Sequence, residues 1–143
     1  MEQRVSLITL GVADVKESAA FYAALGWQRV DSPDGVVAFD LIGATLGLYP
    51  LAALVDELGC AAADLGRGGI VLSHNVRSKA EVGPLLQRAK AAGATILKPA
   101  QDVFWGGYHG HFADPDGNIW EIAWNPFSPL GPNGEFQWNG VEA

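Results

Sequence analysis

Apolar and polar positions along the chain fall into one pattern, used twice. Val5–Val12 is a β-rich run, and Asp14 then stands as a helix N-cap with Glu17 three residues on, the arrangement of a capping box. Val15, Ala19, Tyr22 and Leu25 fall at helical spacing, and Gly26 is a good C-terminal stop. Trp27–Asp31 predicts a strand, Ser32-Pro33-Asp34-Gly35 a turn, and residues 36–41 and 44–49 a hairpin around Ile42-Gly43. The Ala/Leu-rich stretch 50–64 predicts a short helix ahead of the glycine-rich connection Gly66-Arg67-Gly68. The order then recurs. A strand over 69–76 leads to Ser78 and Glu81, a second capping-box pattern, and to a helix carrying Val82, Leu85, Leu86 and Ala89 that stops at Gly93. Strands are expected over 94–98, 108–113 and 118–124. The two caps, Asp14 and Ser78, are 64 residues apart. A β-α-β-β-β unit repeated at that spacing gives an α+β protein of two like modules.

The most informative stretch is Asp114-Pro115-Asp116-Gly117 and the strand after it. Pro115 presets φ for the first central position of a turn, the Asp side chains bond back to nearby N–H groups, and Gly117 tolerates φ > 0. In the following strand Ile119, Glu121 and Ala123 share one face, while Trp120, Ile122 and Trp124 share the other. A carboxylate is thereby placed among apolar neighbours and is expected to be at least half buried.

Composition narrows the classes. The chain has 143 residues, which suits one compact domain or two small, tightly joined halves, and at 49% hydrophobic and 17% charged it can bury a sizeable core. No apolar run approaches the roughly 20 residues of a membrane span. No basic segment followed by a long apolar one opens the chain, so no signal peptide is expected. Cys60 is alone and fits a reducing cytoplasm; its expected role is that of a small, partly buried residue. The net charge is −7 and the last basic residue is Lys98, after which come only the acids Asp102, Asp114, Asp116, Glu121, Glu135 and Glu142. That balance argues against a nucleic-acid partner, whose phosphates require cations, and favours a neutral or cationic ligand near the C-terminal half.

The D-P-D-G turn, with Glu121 seven residues after Asp114, resembles the end of modules in the vicinal oxygen chelate superfamily, the glyoxalase/bleomycin resistance protein/dioxygenase family. The twofold β-α-β-β-β pattern and the opening Leu10-Gly11-Val12-Ala13-Asp14, with Phe21-Tyr22 and Leu25-Gly26 beyond it, extend the resemblance over residues 4–126. It implies the glyoxalase/bleomycin resistance fold, two βαβββ modules forming a cupped mixed sheet. Residues 1–143 are then one domain, with modules at about 4–50 and 68–126, a connection at 51–67 and an irregular tail over 127–143. The tail's aromatics, Phe136 and Trp138, are expected to pack on the body or on a partner chain.

In the metal-dependent members that the chain resembles, four ligands converge in the cup, one of them at the position of Glu121. The other three positions fall at Leu7, Gly47 and Gly69, none of which has a donor atom. The resemblance thus implies a dismantled metal site and no required cofactor. His109 and His111, at i and i+2, share one face of their strand with Cα atoms about 7 Å apart. With Glu121 they form a polar ligand-binding cluster, a structural hydrogen-bond cluster, a rearranged divalent-metal site or a metal-free acid–base pair. Gly110 between them is expected to lower local stiffness and so to work against a preorganised metal site. Thr9 offers a hydroxyl, and Trp105, ahead of Gly106-Gly107, a pair that suggests a flexible lip, either stacks on a ligand or simply packs on its surroundings. His74 falls out of phase with these positions and is expected as a helix-side or strand-end histidine.

Two function classes stay open. One is a binding protein of the bleomycin-resistance kind, taking up a small organic, cationic molecule in a cup lined by Thr9, Trp105, His109, His111 and Glu121. The other is a metal-dependent lyase, isomerase or dioxygenase whose site is rebuilt from His109, His111 and Glu121. Trp120 and Trp124 are expected to pack against a helix or a partner, and in either case a homodimer is expected to cover strand edges and part of the faces of Trp120, Trp124 and Trp138.

Overall fold

A computed structural model describes residues 1–66 and 69–141. Arg67 and Gly68 of the expected connection, and Glu142 among the C-terminal acids, lie outside the described residues. The chain divides into two compact units, residues 1–67 and 68–143.

The first unit is built from β1 (Leu7–Val12), α1 (Val15–Ala24), β2 (Val37–Asp40), β3 (Thr45–Pro50) and α2 (Leu51–Leu58), followed by a 3-10 turn over Ala62–Asp64. Asp14 caps α1 as its sequence position requires, its Oδ1 accepting from the N–H groups of Lys16 and Glu17. The sheet order is β1-β3-β2, with β1 parallel and β2 antiparallel to β3. Alternation along these strands puts Leu46 and Leu48, both 0% exposed, on one face with Phe39. There Phe39 meets Tyr22 of α1 and Trp27, with ring centroids 5.4 to 5.9 Å apart. Each such side chain contributes about 1.5–3 kcal/mol on burial, so this aromatic cluster anchors the unit.

The strand expected over Trp27–Asp31 is absent apart from a single bridge between Val30 and Ala38. Trp27 belongs to the core cluster instead, and its N–H bonds back to the carbonyl of Tyr22 as the exit from α1. The first unit is therefore β-α-β-β plus a bridge.

The second unit carries the full pattern: β4 (Val71–Asn75), α3 (Lys79–Ala91), β5 (Thr95–Asp102), β6 (Tyr108–Ala113) and β7 (Ile119–Trp124). Its sheet runs β4-β7-β6-β5, with β4 parallel to β7 and the other two pairs antiparallel. One face packs under α3, where Val82, Leu86, Ala89, Phe112, Trp120 and Ile122 are all buried. Trp120 lies parallel to Phe112 at 6.4 Å. It fills this unit's own core and is not an exposed face awaiting a partner.

Ser78 does not cap α3 in the expected way. Its hydroxyl donates to Glu81 Oε1 and accepts from no backbone N–H. The sequence pattern of a capping box is present, but the hydroxyl is taken by the carboxylate. Beyond β7 the chain is irregular and pinned by polar contacts: Arg77 donates to the carbonyls of Gly131 and Pro132, and Ser128 donates to that of Trp138. Trp138 itself is 78% exposed, so of its two expected placements, on the body or on a partner chain, the first is not met.

These two caps separate in their energetics. Asp14→Ala should cost about 0.5–2 kcal/mol in equilibrium urea unfolding, since two N–H groups lose their acceptor. Ser78→Ala, which frees no helix N–H, should stay within about 0.5 kcal/mol.

Candidate functional site

The β6–β7 hairpin is closed by Asp114, which is only 3% exposed. Its Oδ1 accepts from the N–H groups of Asp116 and Asn118, its Oδ2 from the Asn118 side chain, and its carbonyl from Gly117 N–H. Gly117 sits at φ +87, a conformation that side-chain-bearing residues seldom adopt. This turn fixes the register in which His111 stands directly opposite Glu121, and His109 opposite Ala123.

The face away from α3 therefore carries a row of polar residues across all four strands: Ser73, Glu121, His111 and Lys98, paired in that order. A second row sets His109 opposite Gln101. Glu121 is the hub. Its Oε1 lies 2.6 Å from His109 Nδ1 and 3.7 Å from His111 Nε2, and its Oε2 accepts from Ser73 Oγ at 2.7 Å. The two imidazoles meet edge to face at 4.7 Å. Side-chain exposures of 14% for His109, 23% for His111 and 22% for Glu121 leave the cluster reachable yet largely desolvated. One ligand atom from each of the three residues lies within 4.8 Å of the others.

Gly110 plays the opposite part from the one expected. It is buried, and a Cβ there would come within 2.4 Å of Leu86 Cδ1, 2.9 Å of the Lys98 carbonyl and 3.0 Å of Ala100 N. The glycine lets α3 and β5 close onto β6 between the two histidines, so the strand is wedged and not loosened. On β5 the register shifts on either side of Lys98, which is how Lys98 and Gln101, three residues apart, oppose His111 and His109, two apart. Pro99 is tolerated in that irregular stretch because β5 is an edge strand.

Trp105 stands edge-on to His109 at 6.5 Å, and its indole covers Gly107, where a Cβ would come within 2.0 Å of the ring. The expected flexible lip is a turn held by Gly106 N–H to the Val103 carbonyl and Val103 N–H to the Gly107 carbonyl. Thr9 belongs to the first unit, on β1 opposite Gly47, and is exposed. His74 pairs with Ile122 and so lies on the helix side of the sheet, as its phase predicts. Ser73 was not singled out from sequence as a partner of Glu121. Only the parallel register of β4 and β7, strands 48 residues apart at this pair, reveals it.

Register also places the family's metal positions. Leu7 stands two residues before Thr9, the partner of Gly47, and the matching residue two before Ser73, the partner of Glu121, is Val71. The counterpart of Leu7 is thus Val71 and not Gly69; neither offers a donor, so the four-donor set does not fit this chain.

Comparison with known proteins accords with this architecture. Residues 4–122 match the Glyoxalase/Bleomycin resistance protein/Dioxygenase superfamily. A glyoxalase-related enzyme from Fulvimarina pelagi is 40% identical, with a TM-score of 0.89 over 96% of this chain and 99% of that one. A hypothetical protein from S. aureus is 25% identical, with a TM-score of 0.77 over 87% and 95% of the two chains. An uncharacterized protein from Mycobacterium tuberculosis is 28% identical over 123 residues, 79% of this chain and 69% of the relative. The chain belongs to the Glyoxalase/Bleomycin resistance protein/Dioxygenase superfamily. Among the described residues no helix is long and apolar enough to cross a membrane.

Burial lowers the His111 pKa below its ordinary value; Glu121 opposes the shift, while His109 and Lys98 add to it. A histidine whose folded pKa is depressed gives stability that is present above the unfolded pKa of about 6.5 and lost as pH falls through the folded value. NMR titration of the imidazoles should show His111 protonating at lower pH than a free histidine. Lys98→Met should move that midpoint upward, because a repelling cation is removed.

Proposed function

We propose that the chain binds a small organic molecule against the polar face of its second unit, with Glu121 as the recognition group. The observation that carries this reading is the largely desolvated carboxylate held between Ser73 and two imidazoles, with Trp105 beside His109. A carboxylate held by a hydroxyl on Oε2 and by His109 on Oε1 keeps lone-pair capacity for a cation or a further hydrogen-bond donor, and charge-assisted bonds of this kind are the strong ones. The excess of acids after Lys98 is consistent with a neutral or cationic ligand.

Ligand screening by tryptophan fluorescence, with Trp105 as reporter, tests the reading. Glu121→Gln should weaken a cationic ligand about tenfold or more, the loss of one charge-assisted contact of about 1.5–3 kcal/mol. Equal affinity of wild type and Glu121→Gln for every cationic hit would put the site elsewhere.

The same reading includes a homodimer. Leu7 on β1 and Val71 on β4, both edge strands, are 55% and 47% exposed, and Trp138 adds to the uncovered apolar surface. Light scattering at micromolar concentration should give twice the chain mass of 15.1 kDa; the monomer mass would remove the dimer.

A further inference from the structure

We propose that His109, His111 and Glu121 form a site for one first-row divalent transition-metal ion, placed on two strands of the second unit and sharing only Glu121 with the positions its family uses. The donor set is two imidazoles and one carboxylate, a combination that suits Zn²⁺, Fe²⁺, Co²⁺ or Ni²⁺ and discriminates against the oxygen-seeking Mg²⁺ and Ca²⁺.

Distance supports it first. With metal–ligand bonds of about 2.1 Å, two donors on one ion stand at most about 4.2 Å apart. His109 Nδ1 and His111 Nε2 lie 2.6 and 3.7 Å from Glu121 Oε1, and the whole set falls within 4.8 Å. Side-chain rotations of less than about an ångström admit an ion, which replaces the histidine–carboxylate hydrogen bond as their common partner.

Support from the surrounding shell comes second. Ser73 Oγ holds Oε2, so Oε1 is the oxygen left facing the imidazoles. The packing of Leu86, Lys98 and Ala100 against Gly110 fixes the strand between the two ring-bearing residues. The edge of Trp105 limits His109 from one side. Partners of this kind orient ligands, and their loss commonly costs about 10- to 100-fold in metal affinity. Three protein donors leave at least one coordination position open to water or to a ligand atom, the pattern of a reactive site and not of a closed structural one.

The inference stands on donor geometry and does not rest on the small-molecule reading. Its test uses the metal alone, so its failure leaves that reading standing, and the absence of any organic ligand leaves the metal site standing. Untagged full-length protein, stripped with chelator, is titrated with Zn²⁺ against a chromophoric competitor and with Co²⁺ for its ligand-field absorption. One equivalent should bind. His109→Ala, His111→Ala and Glu121→Ala should each lose about 100-fold or more, and Ser73→Ala about 10- to 100-fold. His74→Ala, on the helix side of the sheet, and Cys60→Ser, outside the proposed donor set, should leave binding unchanged.

In wild-type protein, Zn²⁺ should shift the NMR signals of His109 and His111 and spare those of His74, a readout that needs no variant to fold. Binding no tighter than that of the His109→Ala/His111→Ala double variant would overturn the proposal. So would a loss caused by His74→Ala or Cys60→Ser, or Zn²⁺-induced shifts confined to His74.

Discussion

The buried carboxylate of Asp114 governs the second unit. By accepting from Asp116, from Asn118 twice, and by anchoring the loop through its carbonyl, it allows one pairing of β6 with β7. A slip of one residue would turn every side chain to the other face. Trp120 and Ile122 would leave the core, and Glu121 would enter it. Hydrophobic burial and polar chemistry thus depend on the same turn, and burial enforces it. Trp120 and Ile122, 6% and 3% exposed, hold the register that Asp114 sets.

The sheet of the second unit meets opposite demands on its two faces. Toward α3 it needs small and apolar residues, which at Gly110 means no side chain at all. Away from α3 it gathers Ser73, Glu121, His111, His109, Lys98 and Gln101. Placing a glycine between two histidines satisfies both demands in three consecutive residues. The irregular pairing of β5 completes the arrangement by delivering Lys98 to the row occupied by His111, where its charge weighs against that imidazole's protonation.

Local signals carried much of this into the sequence. The cap at Asp14, the Asp-Pro-Asp-Gly turn, the alternation that isolates Glu121 and the i, i+2 histidines are all short-range, and the family resemblance came from the turn with Glu121, the repeated element order and the opening strand and helix. Long-range facts were less accessible. Ser73 meets Glu121 only through a parallel register between distant strands, and the β5 irregularity has no local spacing rule. Gly110 illustrates the limit well: glycine in isolation suggests looseness, and only the neighbours Leu86, Lys98 and Ala100 make it a point of closure. Ser78-x-x-Glu81 and Trp27–Asp31 erred for a related reason, since in each a tertiary or side-chain partner outcompeted the local preference.

Gly47 is the position in the first unit that corresponds to Glu121 in the second, and Thr9 faces it as Ser73 faces the glutamate. Its φ is not positive, and a Cβ there would meet Leu7 Cδ1 at 3.4 Å and Thr9 Oγ1 at 4.0 Å, ordinary contact distances. The glycine is therefore not demanded by the backbone. The second half carries a hydroxyl–carboxylate couple and the first half only the hydroxyl, with room at the matching seat for a Cβ. A glutamate introduced there would stand opposite Thr9 as Glu121 stands opposite Ser73, which makes the first half a place for a protein engineer to write a second copy of the couple.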